Sequence, residues 1–157
     1  MATEPPPAGP VVVVQRTVSA RGVPAPANLR RYVGAALPDC RGELTLRIVD
    51  PLESQALNRT YRGKDKPTNV LSFHYDAPEP MMDTDVAPLG DLVLCAAVVA
   101  DEARAQGKPP RDHWAHLVVH GCLHLLGLDH QDATEAAEME AREVAILASL
   151  GISDPYA

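Results

Sequence analysis

Apolar and polar positions cut the chain into short segments whose period switches between two and about four residues. Val11 to Val18 is a β-branched run and predicts a first strand. A loop rich in Pro and Gly follows. Leu29 to Leu37 then predicts a modest helix, with Asn28 as a candidate N-cap. Glu43 to Val49 alternates weakly, is rich in β-forming residues and predicts a second strand. Strand, helix and strand in succession predict a parallel pair joined by a right-handed crossover. Asp50-Pro51-Leu52-Glu53 is a strong helix start: Asp50 caps, Pro51 fills the first turn and Glu53 takes the capping-box position. That helix is expected to reach about Tyr61. Asn69 to Tyr75 predicts a third strand. The segment from Asp76 to Leu89 carries Pro78, Pro80, Pro88 and the pair Met81 and Met82, and loops of that length are often functional. Gly90 to Cys95 predicts a fourth strand, and Ala96 to Gln106 a helix stopped by Gly107.

Two further helices complete the pattern. Arg111 to Leu126 offers Trp114, Leu117, Val118 and Leu125 for burial. Asp132 to Glu135 is a second capping box, opening a helix to Leu150 that Gly151 ends. Ala136, Met139, Ile146, Leu147 and Leu150 approximate its apolar stripe, which Glu143 interrupts. A salt bridge or supporting contact near the basic segment is one role for that charge. The fold class is therefore α+β: a single domain with a four-stranded mixed sheet, and the histidine-bearing helix of residues 111–126 packed on it.

Composition narrows this picture. A length of 157 residues fits one domain, and 46% apolar content fits a globular one. The stretch 1–10, with Pro at 5, 6, 7 and 10, reads as a flexible tail, leaving 11–157 as the domain. It lacks the apolar core of a signal peptide, and no apolar run approaches the ~20 residues that span a bilayer, so no membrane role is expected. Cys40, Cys95 and Cys122 are odd in number and widely spaced, which favours a reducing, cytoplasmic setting. Cys122 is expected to pack in the core. A net charge of −7 speaks against a broad nucleic-acid surface. Against that background Arg59, Arg62, Lys64 and Lys66, broken only by Asp65, form a local basic patch. Asn58-Arg59-Thr60 matches a glycosylation sequon, which a cytoplasmic setting makes incidental.

The chemistry concentrates in His120 to His130. Five of the six histidines lie between 113 and 130. His120 and His124 are four apart, so a helix stacks them on one face. Gly127 can stop the helix in a left-handed turn and let His130 return. Three protein ligands leave a fourth position open, the arrangement of catalytic rather than structural zinc. His116, His120 and His124 form one stripe, but its ends lie about 12 Å apart and cannot share an ion. That favours His120, His124 and His130 as ligands to one Zn2+ per chain, although nickel or copper also suits imidazoles. His116 and Asp129 are left as supports for the ligands, and His113 is off the stripe. The spacing is that of the metzincin peptidases, H-E-x-x-H-x-x-G-x-x-H, but Gly121 stands where their catalytic Glu stands. Ordinary peptide hydrolysis is thereby disfavoured.

Longer motifs point to a family. Arg-Gly-Lys-Asp-Lys-Pro-Thr-Asn-Val-Leu-Ser-Phe (Arg62 to Phe73), Leu-Gly-Asp (Leu89 to Asp91), the histidine run from His120 to His130 and the closing Asp-Pro-Tyr (Asp154 to Tyr156) resemble the YbeY family. Its members are bacterial metal-dependent endoribonucleases that mature ribosomal RNA. The resemblance runs from about Glu43 to Tyr156. His74 departs from it, standing where many relatives have Pro.

The resemblance implies a nuclease that prefers single-stranded RNA and acts on the ends of small-subunit ribosomal RNA and in ribosome quality control. It carries the zinc ligands onto His120, His124 and His130 and a functional arginine onto Arg62. It also implies association with the small ribosomal subunit and its proteins and with the assembly GTPase Era. The chemistry agrees, since RNA carries its own nucleophile and an arginine grips phosphate with two parallel bonds. Arg62 and His120 are then the catalytic residues, and Arg62, Lys64 and Lys66 the substrate-binding ones. Two alternatives stand beside this: an amidase or peptidase, and a non-catalytic assembly factor whose metal only shapes a site.

Overall fold

The computed structural model describes residues 9–75, 88–128 and 132–157. In chain order it contains β1 (Val11–Arg16), α1 (Pro26–Ala36), β2 (Glu43–Val49), α2 (Pro51–Arg62), β3 (Val70–Phe73), β4 (Pro88–Cys95), α3 (Ala96–Gln106), α4 (Pro110–Leu125) and α5 (Ala133–Ser149). The strands form one sheet in the order β1-β2-β4-β3. β1 and β2 are parallel, as are β2 and β4, and β3 runs antiparallel along the outer side of β4. The expected α+β class and mixed four-stranded sheet are what the chain adopts.

Local chemistry explains most of the element ends. The Asp50 side chain accepts from the Glu53 amide at 2.8 Å, and Asp132 does the same for Glu135. Gly63 and Gly107 close α2 and α3 in the left-handed conformation. Glu53 does not complete a reciprocal capping box: its carboxylate makes two bonds to Arg47 on β2, at 2.6 and 3.0 Å, and so ties α2 to the sheet. Asn28 is not the cap of α1. Pro26 already has the φ a helix needs, so the helix begins there, after Ala25, with no side-chain cap. The third strand is shorter than expected, and the fourth begins two residues earlier, at Pro88. Residues 1–8 of the expected tail, residues 76–87 of the long loop with Met81 and Met82, and Asp129 and His130 lie outside the described residues.

The sheet separates two cores. On one face Leu44, Leu46 and Ile48 of β2 and Leu92 and Leu94 of β4 are buried against α1 and α4, where Leu29, Val33, Trp114, Val118 and Cys122 meet them. On the other, Val49, Leu71 and Val93 pack beneath Leu57 of α2. Alternation along each strand produces this division. Helix α4 lies at the centre of the larger core, touching α1, α3 and α5 as well as β3 and β4. Its approach to the sheet depends on Gly121. A Cβ there would come within 2.9 Å of Leu92 Cδ2 and 3.3 Å of Ser72 Oγ and Val70 Cγ2. In the gap, Ser72 Oγ donates to the Gly121 carbonyl at 3.1 Å. Gly90 plays the matching role on the strand. At a φ of 149° it passes so close to the Phe73 carbonyl and the Leu125 side chain that no side chain fits. The Cys122 thiol is fully buried, and burial pushes its pKa up, as a core residue requires.

Candidate metal centre

The polar side of α4 carries His113, His116, His120 and His124, and the two stripe neighbours of closest approach are His120 and His124. Their ring centroids are 4.6 Å apart, against 6.2 Å for His116 and His120. Their Nε2 atoms face each other at 3.0 Å. Two imidazoles bound to one tetrahedral zinc at ~2.0–2.1 Å hold their nitrogens about 3.3 Å apart. The observed separation is close to that, so the pair fits a shared cation. Gly127 follows in the left-handed conformation, with a φ of 86°, and turns the chain off the helix.

Behind this pair stands Glu143 of α5, whose side chain is fully buried. It accepts from His120 Nδ1 at 2.5 Å, from His116 Nε2 at 3.0 Å and from the Tyr156 hydroxyl. Burial alone would raise the pKa of this carboxyl. The hydrogen bonds from His116, His120 and Tyr156 outweigh it and lower the pKa to about 2, so the group is a carboxylate. Burial and that carboxylate push the Tyr156 hydroxyl up, which keeps it a donor. An ionised Glu143 requires a His120 proton on Nδ1 and turns Nε2 toward His124. A carboxylate that orients a ligating histidine in this way is a recurring metal-site device.

His116, His120 and Glu143 also form a donor group, with their ligand atoms within 4.8 Å of one another. The same atoms already hold one another by hydrogen bonds, which an ion there would have to displace. At the His120–His124 pair an ion would take the place of the contact between the two Nε2 atoms. Glu143 therefore does not reach toward the basic segment, as its place in the α5 stripe left open. It braces the histidines. The signal was present in the chain: Met139, Glu143 and Leu147 are spaced by four and all buried. A carboxylate in such a position has to be paired.

A cavity of about 610 Å³ opens beside His124 and is lined by Arg62, Ser72, Phe73, His74 and Tyr75 as well as Leu125. Arg62, at the end of α2, donates from Nη2 to the Ser72 carbonyl at 2.8 Å and lies 5.4 Å over the Phe73 ring. Lys64 and Lys66 are exposed on the following loop and do not line this cavity. That loop is fixed from beneath by Asn58, a buried residue whose amide donates to the Lys66 carbonyl at 2.8 Å. On the other side of the histidine pair, His113 is buried and bonds Glu102 at 2.9 Å.

Fold and site together define an α+β domain with a histidine centre, braced by a carboxylate and able to hold a metal ion, beside the sheet's edge strand. The family model described as endoribonuclease YbeY matches residues 28–151. A protein of Alkalilimnicola ehrlichii named endoribonuclease YbeY is 56% identical over 148 residues, which cover 91% of this chain and 89% of that one. One of the same name from Halorhodospira halophila is 63% identical over 115 residues, covering 73% and 75%. A solution structure of a Thermotoga maritima protein superposes with a TM-score of 0.53 at 22% identity, covering 93% of this chain and 97% of that one, and shares the fold. The chain belongs to the endoribonuclease YbeY family.

Proposed function

We propose that the chain is a zinc-dependent endoribonuclease that cuts single-stranded segments of ribosomal RNA precursors, at the ends of the small-subunit RNA, and serves ribosome maturation and quality control. One observation carries the reading: His124, whose Nε2 faces that of His120 at 3.0 Å, shares its cavity with Arg62. A cation site and a phosphate-gripping guanidinium thus face one space.

In this reading His120, His124 and His130 hold one zinc ion per chain. When bound, zinc supplies Lewis acidity toward a phosphoryl oxygen and a more acidic water. The chain's own residues do the rest. Glu143 keeps the His120 proton on Nδ1. Arg62 is anchored by the Ser72 carbonyl and the Phe73 ring, and two or more of its five N–H groups remain for phosphate oxygens. A guanidinium held before substrate arrives needs no reorganisation as charge develops on the phosphate. Lys64 and Lys66, exposed before β3, guide the RNA backbone inward. Peptide hydrolysis is opposed by Gly121, which supplies no carboxylate base and where a Cβ would crowd Leu92, Ser72 and Val70.

The same reading makes residues 11–157 one metallohydrolase domain working in the cytoplasm. It also brings the small ribosomal subunit, its proteins and the GTPase Era as partners. Among the described residues no helix is long and apolar enough to cross a membrane. The test is cleavage of a labelled ribosomal RNA precursor fragment by the purified protein, beside a folded His124→Ala variant and a chelator-treated sample. Wild-type cleavage that both controls abolish is expected. Cleavage that survives in either control overturns the proposal.

A further inference from the structure

A second cavity, of about 430 Å³, lies on the other side of the histidine pair. His120 and His116 form its inner wall, and Asn69, Glu102, Gln106 and Lys108 supply its polar lining. Its volume falls within the roughly 300–1,000 Å³ of small-molecule sites. The polar groups are already arranged. Asn69 Nδ2 donates to Glu102 at 3.0 Å, and the buried His113 bonds the same carboxylate at 2.9 Å. Asn69 is itself fixed, because its Oδ1 accepts from the Val70 amide at 2.6 Å. Glu102 is thus held in place from α4 and from the start of β3, yet its side chain remains one-third exposed, at 33%. A carboxylate has about four acceptor sites; His113 and Asn69 both bond Oε1, and Asn69 reaches Oε2 only at 3.3 Å, so the open sites lie chiefly on Oε2. Leu117 and Val70 add apolar surface for the face of a ring.

We propose that this cavity is a nucleobase subsite that selects guanine next to the cleaved bond, with Glu102 as the specificity residue. The inference rests on the ribonuclease reading above and adds to it which base the site prefers. Guanine alone among the RNA bases presents two adjacent donors, N1–H and N2–H2, on its Watson–Crick edge, and a carboxylate accepts such a pair side by side, with the base here taking the place of the Asn69 amide on Glu102. Its O6 lies next to N1, where the donors Gln106 and Lys108 suit it. Uracil and adenine set an acceptor against the carboxylate instead. Single-stranded RNA leaves this edge free to be read. The two cavities flank one histidine pair, so a strand with its phosphate at Arg62 and His124 places a neighbouring base beside His120.

The experiment varies the nucleotides flanking the cut, one at a time, in otherwise identical single-stranded RNAs and measures kcat/KM for zinc-loaded protein. In parallel, equilibrium binding of fluorescent tetraribonucleotides is measured on metal-free protein. Guanine is expected to be preferred at one flanking position by at least about tenfold over adenine and uracil, with inosine, which lacks the N2 amino group, in between. Glu102→Gln should erase the preference in both measurements while metal content stays unchanged, and the surface variant Gln106→Ala should weaken it. Equal use of all bases by the wild type, or a guanine preference that survives Glu102→Gln, overturns the subsite. A guanine preference in binding with no cleavage of any RNA supports the subsite and overturns the nuclease reading instead.

Discussion

Glu143 illustrates how much one residue's surroundings decide. It is a fully buried carboxylate with three donors around it, and its proton count is set by them and not by solvent. Its role as a brace, in place of a ligand, makes a definite prediction. Glu143→Gln should lower zinc affinity by about 10- to 100-fold without removing the site. Tyr156→Phe, which removes one of the three donors, should cost less. His124→Ala should abolish tight binding, whereas His116→Ala should leave most of it. Competition with a chromophoric chelator measures all four. Equal losses for His116→Ala and His124→Ala would favour the group of His116, His120 and Glu143 as the metal site. At this scale the sequence was readable where spacing alone fixes geometry, as in His120 and His124 four apart on a helix. It was less readable where the partner comes from another element. The bond from α5 to α4 has no local signature beyond a charge in an apolar stripe. Asn28 misled for a related reason: a good capping side chain does not act when Pro26 has already started the helix.

The elements were readable where their ends carry strong chemistry. Asp50 and Asp132 mark their helices, and each side chain caps an amide at 2.8 Å. Asp132→Ala should therefore cost about 1 kcal/mol of stability, seen as a shift in urea midpoint with unchanged slope. What local pattern cannot convey is how closely two elements approach. Gly121 is an example, since in the sequence it marks only a missing glutamate. In the fold it is the contact that seats α4 on β3 and β4. Gly121→Ala gains about 1 kcal/mol of helix propensity, which offsets much of the crowding against Leu92. The net change should stay within about 1 kcal/mol. Gly121→Glu adds a buried, unpaired charge to the overpacking and should cost at least about 3 kcal/mol. Urea denaturation separates the two outcomes.

Over the whole molecule, the order β1-β2-β4-β3 was the least accessible feature. Sequence pattern names strands but not their neighbours, and β3 lies antiparallel on the outer side of β4 rather than beside β2. Yet this placement gathers the candidate site. It brings Arg62, from the end of α2, and the Phe73 ring to the same cavity as His124 of α4. In an acidic protein with a net charge of −7, that one guanidinium has to act locally. Arg62→Ala should lower the cleavage rate by about 10²–10³-fold with zinc content and melting temperature unchanged. A large drop in stability would instead make Arg62 a structural residue, holding β3 through the Ser72 carbonyl. The close seat of α4 on the sheet also bears on ancestry. A single base change can turn a glycine codon into a glutamate codon, so a peptidase-like histidine motif is one mutation away in sequence. It is farther in the fold: a glutamate there would have to find room for its chain and its charge against Leu92, Ser72 and Val70.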